Sequence, residues 1–160
     1  MQLLKIYVCA TLLSFGMTSL AHAQLSPARV ANVEKAAAEL AAIHVKSGAN
    51  GAFAAIDACY TRELARATWQ TLVLQACMAQ DIIAAKVTAA VLGDFTPGSR
   101  NLGGGPRPFL MTSAMINRIG GTFARFQILE EDAQAFTMLV DTRGMAAYNR
   151  AHGSRRAPVR

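Results

Sequence analysis

The chain has 160 residues, of which 52% are hydrophobic, 16% charged and 7% aromatic, with a formal net charge of +6. This much apolar content beside so little charge excludes an intrinsically disordered chain, and 12 glycines, 5 prolines and 3 cysteines are too few for a collagen-like or disulfide-dense miniprotein. The length suits one domain of ordinary size.

The first predicted element is a leader. Met1–Lys5 carries one positive charge, Ile6–Leu20 is mostly apolar, and Ala21-His22-Ala23 supplies a small-x-small cleavage pattern. That is the layout of a secretory signal peptide over residues 1–23, cut after Ala23. The apolar run is interrupted by Thr11, Ser14, Thr18 and Ser19 and falls short of the ~20 residues of a membrane span. Cys9 sits inside that run, which speaks against a lipoprotein. Later apolar stretches are all broken by charge, so no transmembrane segment is expected after cleavage. The remaining 137 residues carry 15 Lys+Arg, 10 Asp+Glu, a net charge of +5 and two cysteines, Cys59 and Cys77. A chain of that size can bury about two thirds of its unfolded surface, enough for one core.

Helix 1 opens at Ser26-Pro27, an N-cap followed by proline in the first turn. Val30, Val33, Ala37, Leu40 and His44 recur on one face, Lys35 and Glu39 can pair on another, and Ser47-Gly48-Ala49-Asn50-Gly51 stops the helix. Helix 2 runs from Ala52 to Arg62 or Arg66, with Phe53, Ile56, Tyr60 and Leu64 as its stripe and Cys59 beside it. Helix 3 runs from Trp69 to Leu92, with Trp69, Leu72, Val73, Ala76, Ile83, Val87 and Val91 marking the face expected to be buried.

Cys59 and Cys77 lie 18 positions apart. In one straight helix that is ~27 Å, whereas a disulfide needs Cα atoms within ~7 Å. An intramolecular bridge, expected of an even cysteine count in an exported chain, therefore requires the chain to reverse between helices 2 and 3. No Cys-x-x-Cys motif accompanies the pair, so it reads as a staple and not as a redox centre.

The stretch 97–108, with Pro97, three consecutive glycines, Pro106 and Pro108, can only be a loop. Beyond it Met111–Ile119 reads as a helix capped or kinked by Gly120-Gly121. Glu130-Glu131-Asp132 opens a last helix, where acids complement the dipole. Ala133, Phe136, Leu139 and Val140 form its buried stripe, continuing past Gly144 towards Tyr148. A disordered basic tail is expected over 153–160. The expected fold is all-α: a small antiparallel bundle of four to five helices with one intramolecular disulfide. Its helical domain spans 24–152, divided into a neutral part at 24–96, the 97–108 loop and a basic part at 109–152.

Chemistry-bearing patterns are sparse. His44 on an apolar stripe reads as a hydrogen-bonded core residue, and His152 adjoins the tail. No zinc, haem, Walker, Gly-x-Ser-x-Gly or Ser-x-x-Lys pattern occurs, so neither a metal nor another cofactor is expected, and no catalytic residue is assigned. Met111 and Met115, with Met138 and Met145 further on and no histidine beside them, read as core filling and not as copper ligands. Asp57, Glu63, Asp81 and Asp94 read as solvated or paired; an enzyme would require a pocket that gathers at least two of them.

Charge is the clearest asymmetry. Residues 24–96 hold six basic and six acidic side chains, whereas residues 97–160 hold nine arginines, no lysine and four acids. Arginine suits bidentate contact with carboxylate or phosphate, so Arg100, Arg107, Arg150, Arg155, Arg156 and Arg160 are the candidate contacts to an anion or a partner. The function expected is that of an exported, periplasmic or extracellular, non-enzymatic protein that binds another envelope or secreted protein. The alternative is a binder of anionic envelope lipid or polysaccharide. Nucleic acid is not expected outside the cytoplasm.

Overall fold

The computed structural model describes residues 26–65, 68, 71–92 and 110–156, with the backbone alone at 92, 155 and 156. The expected leader and its cleavage site, Trp69, Asp94, the 97–108 loop, Arg100, Arg107 and Arg160 lie outside the described residues. The chain runs through α1 (Pro27–Glu63), α2 (Leu72–Leu92), α3 (Thr112–Arg125), α4 (Glu130–Leu139), a π-helical turn (Val140–Gly144) and α5 (Met145–Arg156). Among the described residues there is no strand.

Helix α1 begins as its sequence dictates. The Ser26 hydroxyl accepts from the Arg29 N–H at 3.2 Å, and Pro27 occupies the first turn, where no amide donor is missed. The expected five-residue stop at 47–51 is narrower in the structure: helical geometry is lost only at Gly48, with φ 59° and ψ −156°. That conformation is essentially closed to residues bearing a Cβ. The fold also brings Ser47 over Gly51, where an added Cβ would collide with the serine Cβ. Gly48→Ala is expected to destabilise the fold by about 1–3 kcal/mol, read as a lower urea midpoint at unchanged m-value.

Helix α2 is the centre of the molecule. It packs against α1, α3 and the π turn, and Leu74, Cys77, Met78, Ile82, Ile83 and Ala84 are buried. The face expected to be buried is corrected here: Leu72, Val73 and Val91 are 39%, 47% and 75% exposed. A helix apolar all round carries no periodic signal that singles out one face, so its neighbours decide which residues are covered. Residues Leu72–Val91 are long and apolar enough to cross a membrane, yet 61% of that stretch is buried against the rest of the chain, as befits a core helix.

Gly120 and Gly121 do not end or kink α3, which runs on to Arg125 and stops beside Gln127 at φ 52°. Docking Met115, Ile119 and Thr122 against the interior offsets the roughly 1 kcal/mol that each mid-helix glycine costs. The three acids at 130–132 do occupy the first turn of α4. Helix α5 extends to Arg156, so residues 153–156 are helical where an unstructured tail was expected.

The π turn ties these helices together. It touches α1, α2, α4 and α5, and Gly144 lies so close to Val33 and Ile83 that an added Cβ would stand 3.2 and 3.3 Å from their side chains. Asp141 of the turn binds Lys86 of α2 at 2.7 Å, and Arg143 binds Glu34 of α1 at 2.8 Å. Gln80 donates from α2 to the Ala36 carbonyl of α1 at 3.2 Å. The Cys59–Cys77 disulfide, with Cα atoms 5.7 Å apart, joins the last turns of α1 to the first turns of α2, the chain reversal that its spacing demanded. Such a bond points to a location outside the cytoplasm.

Candidate functional site

At the Gly48 break the two halves of α1 part, and α2 and α5 border the opening. The result is a groove of about 650 Å³, within the size range of ligand sites. Its apolar wall includes Val87, Val91 and Met145, and among the described residues its polar side groups are Lys86, Thr88, His44, Tyr148, Asn149 and His152. Three of these are rings, and they form a cluster across two helices. His44 Nδ1 lies 2.8 Å from the Tyr148 hydroxyl, and the rings meet edge to face with centroids 5.7 Å apart. Tyr148 in turn stacks on His152 at 5.4 Å and 15°. Residues 44 and 152 are distant in sequence, and only the packing of α5 on α1 brings them to one place.

Burial holds the His44 pKa below its ordinary 6.5, and the neighbouring His152 adds a smaller push in the same direction. The unfolded chain therefore takes up a proton more readily than the folded one. His44 contributes stability that is present above about pH 6.5 and lost as the pH falls through the folded value. Thermal unfolding of the wild type is expected to move to lower temperature between pH 7.5 and pH 5.5, and His44→Gln should remove part of that dependence.

A second polar cluster lies in the interior. Asp81 has no exposed surface. Arg118 of α3 donates to both its oxygens, from Nη2 at 2.6 Å and Nε at 2.9 Å, and the Tyr60 hydroxyl donates at 3.2 Å. Burial pushes the Asp81 carboxyl above its ordinary range, and Arg118 and Tyr60 pull it back only in part. Tyr60 is raised well above 10.0 by its own burial and by the nearby carboxylate. These groups saturate one another, and the arrangement serves to hold α1, α2 and α3 in register.

Of the other carboxylates weighed from sequence, Asp57 borders a shallow 270 Å³ depression beside Arg118 and Arg125, and Glu63 is tied to Arg62 at 2.6 Å. Arg150 is exposed on α5, whose backbone also carries Arg155 and Arg156. Core filling holds for the buried Met115 but not for Met138, which is 66% exposed. The groove itself was missed by sequence reasoning. Its signal was available only in part: a histidine on each of two amphipathic stretches, and a glycine stop in the middle of the first. No family model, curated protein or solved structure is found to be similar to this chain.

Proposed function

We propose that this chain is an exported, non-enzymatic protein, an antiparallel helical bundle that acts by binding another envelope or secreted protein, and that it does so through the groove at the Gly48 break. The observation that carries this reading is the groove: an open, largely apolar hollow framed by three polar rings on a scaffold stapled by a disulfide. The basic leader with its Ala21-His22-Ala23 site supports export to the periplasm or beyond.

Ala90 is exposed and borders the groove, so Ala90→Trp fills the hollow without touching the core. Cross-linking in intact cells is expected to join the wild type to a defined partner and to lose that product in Ala90→Trp. An equal yield from both removes the groove reading. Export predicts a mature form beginning at Gln24 in the envelope fraction; a full-length cytoplasmic product overturns it.

Arg150, Arg155 and Arg156 on one helix favour a second reading, attachment to anionic lipid or polysaccharide. Co-sedimentation with phosphatidylglycerol vesicles that falls with salt and with deletion of residues 153–160 supports it. Sedimentation indifferent to both removes it.

A further inference from the structure

The two sulfurs of the bridge have unlike surroundings. Cys77 has no exposed surface, and its Sγ lies 3.2 Å from the carbonyl of Val73, one turn back on α2. Cys59, in the last turns of α1, is only partly buried. Its Sγ lies 3.9 Å from Nη2 of Arg62, whose side chain is exposed. Glu63 accepts from Nε of the same guanidinium at 2.6 Å, a charge-assisted bond that fixes the cation beside the sulfur.

This asymmetry has chemical consequences. Thiol–disulfide exchange proceeds by attack of a thiolate on one sulfur, in line with the bond that breaks, and its rate depends on access to that sulfur. An attacker aimed at Cys77 must come through the atoms that bury it. One aimed at Cys59 meets a partly exposed residue and a guanidinium that attracts the incoming negative charge. In the reduced, folded chain the same contrast selects the nucleophile. The cation beside Cys59 favours its thiolate. Burial next to a carbonyl keeps Cys77 a thiol, which donates to Val73.

We infer that Cys59 is the sulfur through which the bridge is made and opened, and that its reaction partner is a disulfide-bearing oxidant. In closure the Cys59 thiolate attacks one sulfur of the oxidant's disulfide. A mixed disulfide forms at Cys59, and the oxidant's other sulfur leaves as a thiolate. Cys77 then gives up its proton, attacks Cys59 Sγ and expels the oxidant's remaining sulfur. The two cysteines lose two electrons, the oxidant gains them, and the two thiol protons end on its dithiol form. Opening by a reducing thiolate is the reverse, with the attacker on Cys59 and Cys77 as the leaving group.

The test uses the oxidised wild-type protein with glutathione as the attacking thiol, an acid quench and peptide mass spectrometry. In the native protein glutathione is expected on Cys59 about tenfold more often than on Cys77. The preference should even out in concentrated urea, where both sulfurs are open. The closing direction is read in the same way, on reduced protein with oxidised glutathione while circular dichroism confirms the fold, and should again place the adduct on Cys59. Arg62→Gln should slow labelling of Cys59 about threefold. A native preference no greater than that in urea, or no adduct at either cysteine of the native protein, overturns the inference. Labelling of Arg62→Gln at the wild-type rate overturns the part given to the guanidinium and leaves burial as the whole cause.

Discussion

Replacing Arg118 with alanine is expected to destabilise the protein by about 3–5 kcal/mol, the cost of leaving a buried carboxylate without its counter-charge. Asp81 has no exposed surface and relies on Arg118 for two of its three hydrogen bonds. The effect has a pH signature. Because Asp81 is raised in the folded state even with Arg118 present, the folded chain holds its proton more firmly than the unfolded one. Its contribution is greatest below the ordinary value of 3.8 and is lost as the pH rises through the folded value. Without the guanidinium that window extends upward, so the deficit of Arg118→Ala should be smaller at pH 5 than at pH 7. Urea unfolding at the two pH values measures it. An equal deficit at both would show that lost packing of the arginine stem, not the stranded charge, carries the cost. The triple variant Tyr60→Phe, Asp81→Leu, Arg118→Met should recover most of the loss, since exchanging a whole buried polar cluster for apolar residues is often neutral or stabilising.

Breaking the disulfide is the second large perturbation. Cys59 and Cys77 close a loop of 18 residues in sequence separation, for which the chain-entropy model gives about 3 kcal/mol. Cys77 is fully buried and Cys59 is packed against the same core, so Cys59→Ala with Cys77→Ala removes the bridge while keeping small apolar groups in place. The double variant should unfold at markedly lower urea than the oxidised wild type, and reducing the wild type should reproduce most of the shift. A double variant as stable as the oxidised protein would mean that the helices on either side already restrict the unfolded chain as much as the bond does.

Much of this architecture was legible residue by residue. Ser26-Pro27 marks the start of α1 because a hydroxyl acceptor and a missing amide are both local properties. Glu130-Glu131-Asp132 marks the start of α4 for a similarly local electrostatic reason. The separation of Cys59 and Cys77 demands a reversal, because a helix rises by a constant amount per residue. What failed were statements about faces and ends. The buried side of α2 could not be read because alanine and aliphatic residues surround it, and Val91 is exposed where a stripe was expected. Gly120-Gly121 does not break α3, because docking of Met115 and Ile119 outweighs a local preference worth only about 1 kcal/mol per residue.

By itself, the sequence determined the helical class, the starts of α1 and α4, the reversal at the cysteines and the concentration of arginine after residue 96, since each follows from neighbours along the chain. Only the tertiary structure decided what converges. It set Asp81 between Tyr60 and Arg118, put Gly144 against Val33 and Ile83, and brought His44 to Tyr148 and His152. Contacts between residues 44 and 148 depend on how helices cross, and the crossing is set by the shapes of side chains drawn from several helices at once. No window along one helix contains that information, which is why the candidate groove emerged only once the helices were in place.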